Sequence, residues 1–418
     1  MKVSVIGLGY IGLPTAVILA SRRVEVIGVD INQIAVDTIN QGKIHFLESD
    51  LDILVQDVVK TKHLRATKQP EKADVFIVAV PTPLKGDHEP DISYIESVAK
   101  TIAPLLEKGN LVILESTSPV GTTEKMMNWL QERRPDLVFP EFGGDGATAD
   151  ISIAHCPERV LPGNVVRELV ENDRIIGGVT IKCAEKARDL YKTFVQAECF
   201  ITNCRTAELS KLIENSYRDV NIAFANELSL ICDKLKINVW DLIKLANRHP
   251  RVNILQPGPG VGGHCIAVDP WFVVNSAPDE AKLIHTARLV NDFKPNFVLE
   301  KIEQAVTAIG KDKSGLSIAC LGLAFKPDID DLRESPALDI AQQVGLMGFS
   351  KQYLVEPNIS KFPEGFDRNF TELVELKVAI EASDVVVLLV DHSQFKEMDL
   401  GLLLKKQLVD TRGTWSAL

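Results

Sequence analysis

A strand-like run, Lys2-Val3-Ser4-Val5-Ile6, leads directly into Gly7-Leu8-Gly9-Tyr10-Ile11-Gly12 and an apolar helix. A G-x-G-x-x-G turn between a strand and a helix opens a doubly wound parallel sheet, which leaves the chain few alternatives. The first glycine permits the tight turn and the second lets a pyrophosphate reach the backbone. The third lets helix and strand pack closely, with the phosphates over the helix N-terminus. Tyr10 and Ile11 lie inside the turn and count with Gly7, Gly9 and Gly12 as cofactor contacts. A second strand, Val24-Glu25-Val26-Ile27-Gly28-Val29, ends in Asp30. A carboxylate there hydrogen-bonds ribose hydroxyls and repels a 2′-phosphate, and Ile31 and Asn32 supply no arginine for one. The expected cofactor is therefore NAD rather than NADP.

Strand-like runs at Asp74–Val80 and Leu111–Glu115 alternate with helical patterns, as an α/β fold with a parallel sheet requires. Each ends in a polar turn, Pro81-Thr82-Pro83 and Ser116–Thr123, at the strand ends where such sheets bind ligands. The hydroxyls of Thr82, Thr117 and Thr123 are candidates to meet the cofactor, and they can cap the following helices at the same time.

From Arg205 to Leu235 the pattern becomes a long helix whose apolar faces, with Leu209, Leu212, Ile213, Phe224 and Ile231, predict that it is mostly buried. Further helices are expected at Val239–Asn247 and Asp279–Ile309, giving an all-helical middle that can bury a subunit interface. After the linker Gly310–Gly315, strand runs resume at Leu316–Cys320, Tyr353–Val355, Val385–Val390 and Leu408–Val409. They predict a second, smaller α/β domain without a dinucleotide fingerprint. The boundaries expected are 1–203 for the Rossmann domain, 204–310 for the helical domain and 311–418 for the last.

A chain of 418 residues is too long for one core, and 45% hydrophobic with 25% charged content is that of an ordinary soluble protein. A net charge of −11 argues against a nucleic-acid partner. The first residues show no charged leader and no apolar run reaches spanning length, so no membrane partner and a cytoplasmic location are expected. Seven cysteines at irregular spacing give neither a disulfide framework nor a zinc site, and no metal is expected.

One of those cysteines has a distinctive setting. Gly258-Pro259-Gly260-Val261-Gly262-Gly263-His264-Cys265, with Asp269 four residues on, places a thiol in a glycine-cleared loop beside a carboxylate. Such a loop lets a substrate approach the main chain and leaves N–H groups for an oxyanion or phosphate. The plain alternative is a small packing residue. A Cys265–His264 dyad is not expected, because neighbouring side chains in an extended loop point apart. Glu208, Lys211, Asn215 and Asp219 share one stripe of the long helix, where a lysine can point into a cleft. Cys156-Pro157-Glu158-Arg159 adds a proline-constrained loop, continuing through Leu161 and Pro162, that carries a carboxylate and a cation.

Taken in order, these motifs, with Val80-Pro81-Thr82-Pro83, Ser116-Thr117-x-Pro119-x-Gly121-Thr122 and Phe325-Lys326-Pro327-x-x-x-Asp331-x-Arg333-x-Ser335-Pro336, resemble the UDP-glucose/GDP-mannose dehydrogenase family over essentially the whole chain. Asn247–Asn253 and Pro257–Pro270 look like the branch acting on UDP-N-acetylhexosamines. The resemblance implies an N-terminal NAD-binding Rossmann domain, a central dimerisation and catalytic domain, a C-terminal Rossmann-like UDP-binding domain, and a homodimer. It implies four-electron oxidation of the sugar's primary alcohol to a carboxylate with two NAD in succession, for bacterial surface polysaccharide. UDP-N-acetyl-D-mannosamine is the first substrate expected; its glucosamine and galactosamine counterparts remain open, as does a non-catalytic NAD-binding redox sensor.

The resemblance also implies roles for individual residues. Cys265 would carry a thiohemiacetal and then a thioester, and Lys211 and Asn215 would hold the reacting oxygen. Asp269 or Glu158 would orient or deprotonate the hydrolytic water. His249 and Arg251 would contact the sugar, reaching across a dimer interface, with Arg159, Val160 and Arg218 as further substrate contacts. Gly262 would contact the substrate, Phe325 and Lys326 would meet its UDP portion, Arg333 would reach cofactor phosphates, and Arg412 would close the site.

Overall fold

The computed structural model describes residues 1–46, 48, 50–160 and 163–415. Leu161 and Pro162 of the proline-constrained loop lie outside the described residues. The chain divides into two compact units, residues 1–214 with 271–278 and residues 215–270 with 279–418.

The first unit is built on β1 (Lys2–Ile6), β2 (Glu25–Val29), β3 (Leu64–Thr67), β4 (Val75–Val78), a small hairpin of β5 (Leu84–Lys85) and β6 (Glu89–Pro90), β7 (Leu111–Leu114), β8 (Ser152–His155), β9 (Arg174–Gly178) and β10 (Cys199–Asn203). Apart from the hairpin these form one eight-stranded sheet, ordered β10-β9-β8-β7-β4-β1-β2-β3. The apolar runs Val75–Val78 and Leu111–Leu114 are wholly buried because helices cover both faces of the sheet. Fully burying each Val, Ile or Leu side chain contributes about 1.5–3 kcal/mol before chain entropy is charged against it.

One pairing departs from the expected parallel pattern. β8 and β9 run antiparallel, with Ala154 opposite Gly178 and His155 opposite Gly177. Continuing that register beyond the strand brings Glu158 opposite Arg174, a juxtaposition no run of residues in the sequence announces.

The second unit carries β11 (Ser317–Leu321), β12 (Lys351–Val355), β13 (Thr371–Leu373), β14 (Val385–Leu388) and β15 (Gln407–Asp410), an all-parallel sheet in the order β13-β12-β11-β14-β15. Its first turn repeats the geometry of the N-terminal one. Gly7 (φ +93°) donates its N–H to Val29 O at 2.8 Å, and Leu8 N–H reaches Asp30 Oδ2 at 2.9 Å. Gly322 (φ +87°) donates to Val355 O at 2.8 Å, and Leu323 N–H reaches Glu356 Oε2 at 2.7 Å. The second turn thus keeps the positive-φ glycine and the strand-end acid while lacking the full glycine fingerprint.

The helical middle consists of the 32-residue helix Cys204–Leu235, Val239–Ala246, Asp269–Ser276 and the 28-residue helix Lys282–Ile309. The last begins at Lys282, three residues after the start its apolar pattern predicts. The long helix is also less buried than its composition suggests: Leu209, Ile213, Tyr217, Phe224 and Ile231 are exposed on one stripe. Periodicity reports an apolar face but not whether the same chain covers it, and here it does not. Among the described residues no helix is long and apolar enough to cross a membrane.

Candidate active site

The nucleotide turn fits a dinucleotide. A Cβ at Gly7 would lie 2.3 Å from Ala79 O, and one at Gly12 would lie 1.8 Å from Gly7 O, so both positions are fixed by close packing. A Cβ at Gly9 would meet nothing within 4 Å, which leaves that face open to a pyrophosphate. The helix that follows, Gly12–Ser21, has no side-chain cap and no acid in its first turn, so its N-terminus keeps its affinity for an anion. Asp30 holds the turn with one carboxylate oxygen and accepts Asn32 N–H at 2.8 Å with the other. Tyr10 is exposed at the mouth, its ring 4.3 Å from that of Phe46.

The turns after β4 and β7 are tied by Thr82, whose hydroxyl donates to Thr117 O at 2.5 Å. Thr123 is wholly buried, and its hydroxyl donates to Glu208 Oε1 at 2.6 Å, so the structure gives it a supporting place rather than an open one. Glu208 was not singled out as a site residue by sequence. Its carboxylate accepts Gly121 N–H at 2.6 Å and Thr123 N–H at 2.7 Å, capping the helix Thr122–Arg133 from an element far along the chain. Burial pushes the Glu208 carboxyl up to about 7 against the pull of these donors.

Beneath the carboxyl edge of the first sheet lies a buried ionic cluster. Glu158 Oε2 accepts Arg174 Nη2 at 3.1 Å, and its Oε1 accepts Arg159 N–H at 2.6 Å. Glu115, wholly buried, accepts the Tyr191 hydroxyl at 3.1 Å and that of Thr15 at 3.2 Å, with Arg174 Nη1 3.9 Å away. The Arg174 guanidinium also lies 5.0 Å from the centre of the Tyr191 ring. Arg159 itself pairs with Glu214 at 2.6 Å. Glu158 is therefore fixed in place by two donors, while the other members of the cluster are visible only in the fold.

Burial pushes Glu115 up to about 7, with Glu158 adding to the shift and Arg174 opposing it. The sign follows from linkage. An unfolded glutamate titrates near 4.5, so between there and pH 7 the unfolded chain releases a proton that the folded chain keeps. Glu115 thus costs stability progressively over that window, on the order of 3 kcal/mol in all, and no further above it. Glu115→Gln is expected to flatten this part of the profile. Urea unfolding at pH 5 and pH 7.5 measures it, and equal slopes in both proteins would refute the assignment.

In the second unit the structure joins two candidate catalytic residues. Asn215 Nδ2 donates to Asp269 Oδ2 at 2.6 Å, with both side chains buried. Cys265 lies one turn before the helix Asp269–Ser276, and its carbonyl accepts Asp269 N–H at 2.9 Å, setting thiol and carboxylate a turn apart. Cys265 is the one exposed cysteine; Cys199 is half-buried and the rest are buried. Burial pushes Cys156, Cys204 and Cys320 up to about 12, which leaves them without useful thiolate.

The glycines before Cys265 are cleared partly for the protein itself. A Cβ at Gly258 would stand 2.5 Å from Arg412 Nη1, and one at Gly262 would stand 2.3 Å from Glu334 O and 3.2 Å from Phe325 Cβ. Arg412, anchored to Asp391 at 2.8 Å, and Phe325 are therefore brought against this loop. Gly258 N–H is held by Asn226 Oδ1 at 2.9 Å, and Asn226 donates to Asn291, which donates to Asp219. Lys326 lies 5.9 Å from the Phe325 ring, and Arg333 pairs with Asp331 at 2.7 Å. His249, Arg251, His264 and Arg218 are exposed; Lys211 and Val160 are half-buried.

Residues 1–195 match the NAD binding domain of the UDP-glucose/GDP-mannose dehydrogenase family, residues 205–293 its central domain and residues 319–417 its UDP binding domain. A UDP-N-acetyl-D-mannosamine dehydrogenase of Campylobacter jejuni is 65% identical over 95% of this chain and 97% of its own. An NDP-N-acetyl-D-galactosaminuronic acid dehydrogenase of Ralstonia nicotianae is 59% identical over 99% of this chain and 96% of its own. A solved UDP-D-ManNAc dehydrogenase structure from Pyrococcus horikoshii is 38% identical and superposes with a TM-score of 0.86 over 99% of this chain and 96% of that one. With three domain models matched in order and the nucleotide turn built to receive a dinucleotide, the chain belongs to the UDP-glucose/GDP-mannose dehydrogenase family of NAD-dependent oxidoreductases.

Proposed function

We propose that this protein oxidises UDP-N-acetyl-D-mannosamine to UDP-N-acetyl-D-mannosaminuronic acid, in four electrons and through a thioester on Cys265, for bacterial surface polysaccharide. The observation that carries the reading is the Cys265–Asp269 turn, with one exposed thiol a turn from a buried carboxylate already held by Asn215. NAD, when bound, supplies the hydride acceptor for both oxidations. The chain's residues do the rest. The Lys211 ammonium and the Asn215 amide hold the substrate oxygen as its proton passes to water, and with loss of the hydride the alcohol carbon becomes an aldehyde. The Cys265 sulfur adds to that carbonyl, giving a tetrahedral thiohemiacetal whose carbon can lose a second hydride. Water then cleaves the resulting thioester, releasing the carboxylate and restoring the thiol.

Asp269 and Glu158 are the candidates to prepare that water. Asp269 accepts from Asn215 and lies one turn from the thiol, whereas both oxygens of Glu158 accept from arginine donors, Arg159 N–H and Arg174 Nη2. The exposed stripe Leu209, Ile213, Tyr217, Phe224 and Ile231 fits a second copy of the chain, supporting a homodimer.

A galactosamine-configured substrate is the second reading, favoured by the Ralstonia nicotianae relative's similar identity. Epimers differ in the direction of one polar group, so a substrate panel decides. Purified enzyme is expected to release two NADH per UDP-N-acetyl-D-mannosamine consumed, with kcat/KM at least about tenfold above the gluco- and galacto-configured analogues. Equal turnover of the three would sink the mannosamine assignment, and one NADH per sugar would sink the four-electron reaction.

A further inference from the structure

The second unit contains a cavity of about 500 Å³ that none of the candidate site residues lines. Its walls come from the end of the long helix (Ser229, Asp233), the start of the next (Trp240), the middle of Lys282–Ile309 (Lys294, Phe297, Lys301) and the end of β15. That volume lies in the range of small-molecule sites.

Lys294 is the telling residue. It is only 4% exposed, and its Nζ contacts the Ser229 hydroxyl at 2.7 Å and the Phe297 ring at 4.6 Å. Among the described residues no carboxylate lies within ion-pair distance of it. The nearby Asp233 is instead paired with Lys301 at 2.5 Å, and Asp410 is occupied by the backbone N–H groups of Arg412, Gly413 and Trp415. Burial lowers the Lys294 ammonium to about 8, the mark of a cation short of negative charge. A buried, uncompensated charge is costly, and a chain that retains one at a cavity wall gains when an anion enters.

We propose that this cavity binds a small ring-bearing organic anion, its acidic group paired with Lys294 and its ring set against Trp240 and Phe297. The site is separate from the chemistry assigned to Cys265. By the 3.6-residue period, Ser229 and Asp233 lie on the face of the long helix turned away from Tyr217, Phe224 and Ile231. A second copy seated on the apolar stripe therefore leaves this face of the helix uncovered. Pro257 forms part of the wall and precedes Gly258, so an occupant would touch the segment leading to Cys265.

The test uses 8-anilino-1-naphthalenesulfonate, an aromatic ring system with one sulfonate, titrated into the full-length protein and followed by its fluorescence. Saturable binding at one site per chain is expected, weakened about tenfold or more by Lys294→Met and retained by Lys294→Arg. Gln304→Glu, at an exposed lining position where folding is not at stake, should weaken binding severalfold by adding a like charge at the rim. Binding that is unsaturable, or as tight in Lys294→Met and Gln304→Glu as in the parent, overturns the proposal. Neither readout depends on turnover, so failure here is distinguishable from failure of the dehydrogenase reading.

Discussion

Cys265→Ala is expected to abolish uronate formation, lowering it by at least about a thousandfold, while the fold is retained. The reason lies in the second oxidation. A free aldehyde carbon bears one hydrogen and no leaving pathway for hydride until it becomes tetrahedral, and alanine removes the sulfur that makes it so. The first oxidation does not need the thiol, so at most one NADH per sugar should appear. Because Cys265 is exposed, its loss should move stability by no more than about 0.5 kcal/mol, and an unchanged unfolding midpoint separates chemistry from misfolding. Cys265→Ser should behave similarly, since a hydroxyl is a far weaker nucleophile at neutral pH. Product analysis by mass spectrometry with NADH counting measures the effect, and full uronic acid from Cys265→Ala would end the thioester mechanism.

The largest stability effect is expected at Arg174. It is 5% exposed and stands between two carboxylates, Glu158 at 3.1 Å and Glu115 at 3.9 Å. Arg174→Met keeps much of the bulk beside Tyr191 but removes the only positive charge among the members of that cluster. Truncating one partner of a buried pair leaves the other as an uncompensated charge, which costs about 3–5 kcal/mol. Part of the loss should be relieved by protonating the acids, so the variant should fare better at pH 5 than at pH 7.5. Arg174→Met with Glu158→Gln should recover a portion, because one of the two stranded carboxylates is then gone. Hydrogen exchange across β7 to β9 reads the effect locally in the full-length protein. A single variant within 1 kcal/mol of the parent would mean that the cluster is not held together by Arg174.

The two cases differ in how far the sequence could foresee them. Cys265 stood out because its signal is local: glycines, a thiol and a carboxylate within one short stretch. Glu158 also stood out, on a proline-marked loop, but its partner did not. Arg174 carries no motif of its own, and only the antiparallel pairing of β9 with β8 brings it opposite Glu158. Glu208 was seen as one of a helical stripe, yet its use as the cap of Thr122–Arg133 depends on residues 85 and 87 positions away.

The order of residues alone determined the two mostly parallel sheets, the helical middle, the glycine turn with Asp30 behind it, and the loop presenting Cys265. These follow from period-two and period-3.6 burial and from the φ values only glycine takes easily, all of which act over a few neighbours. The tertiary structure alone decided which buried charges meet, which apolar stripe is left exposed, and where a cation is walled into a cavity. Those outcomes depend on desolvation and pairing between residues distant along the chain, whose strength is set by the space around them and not by their neighbours in sequence.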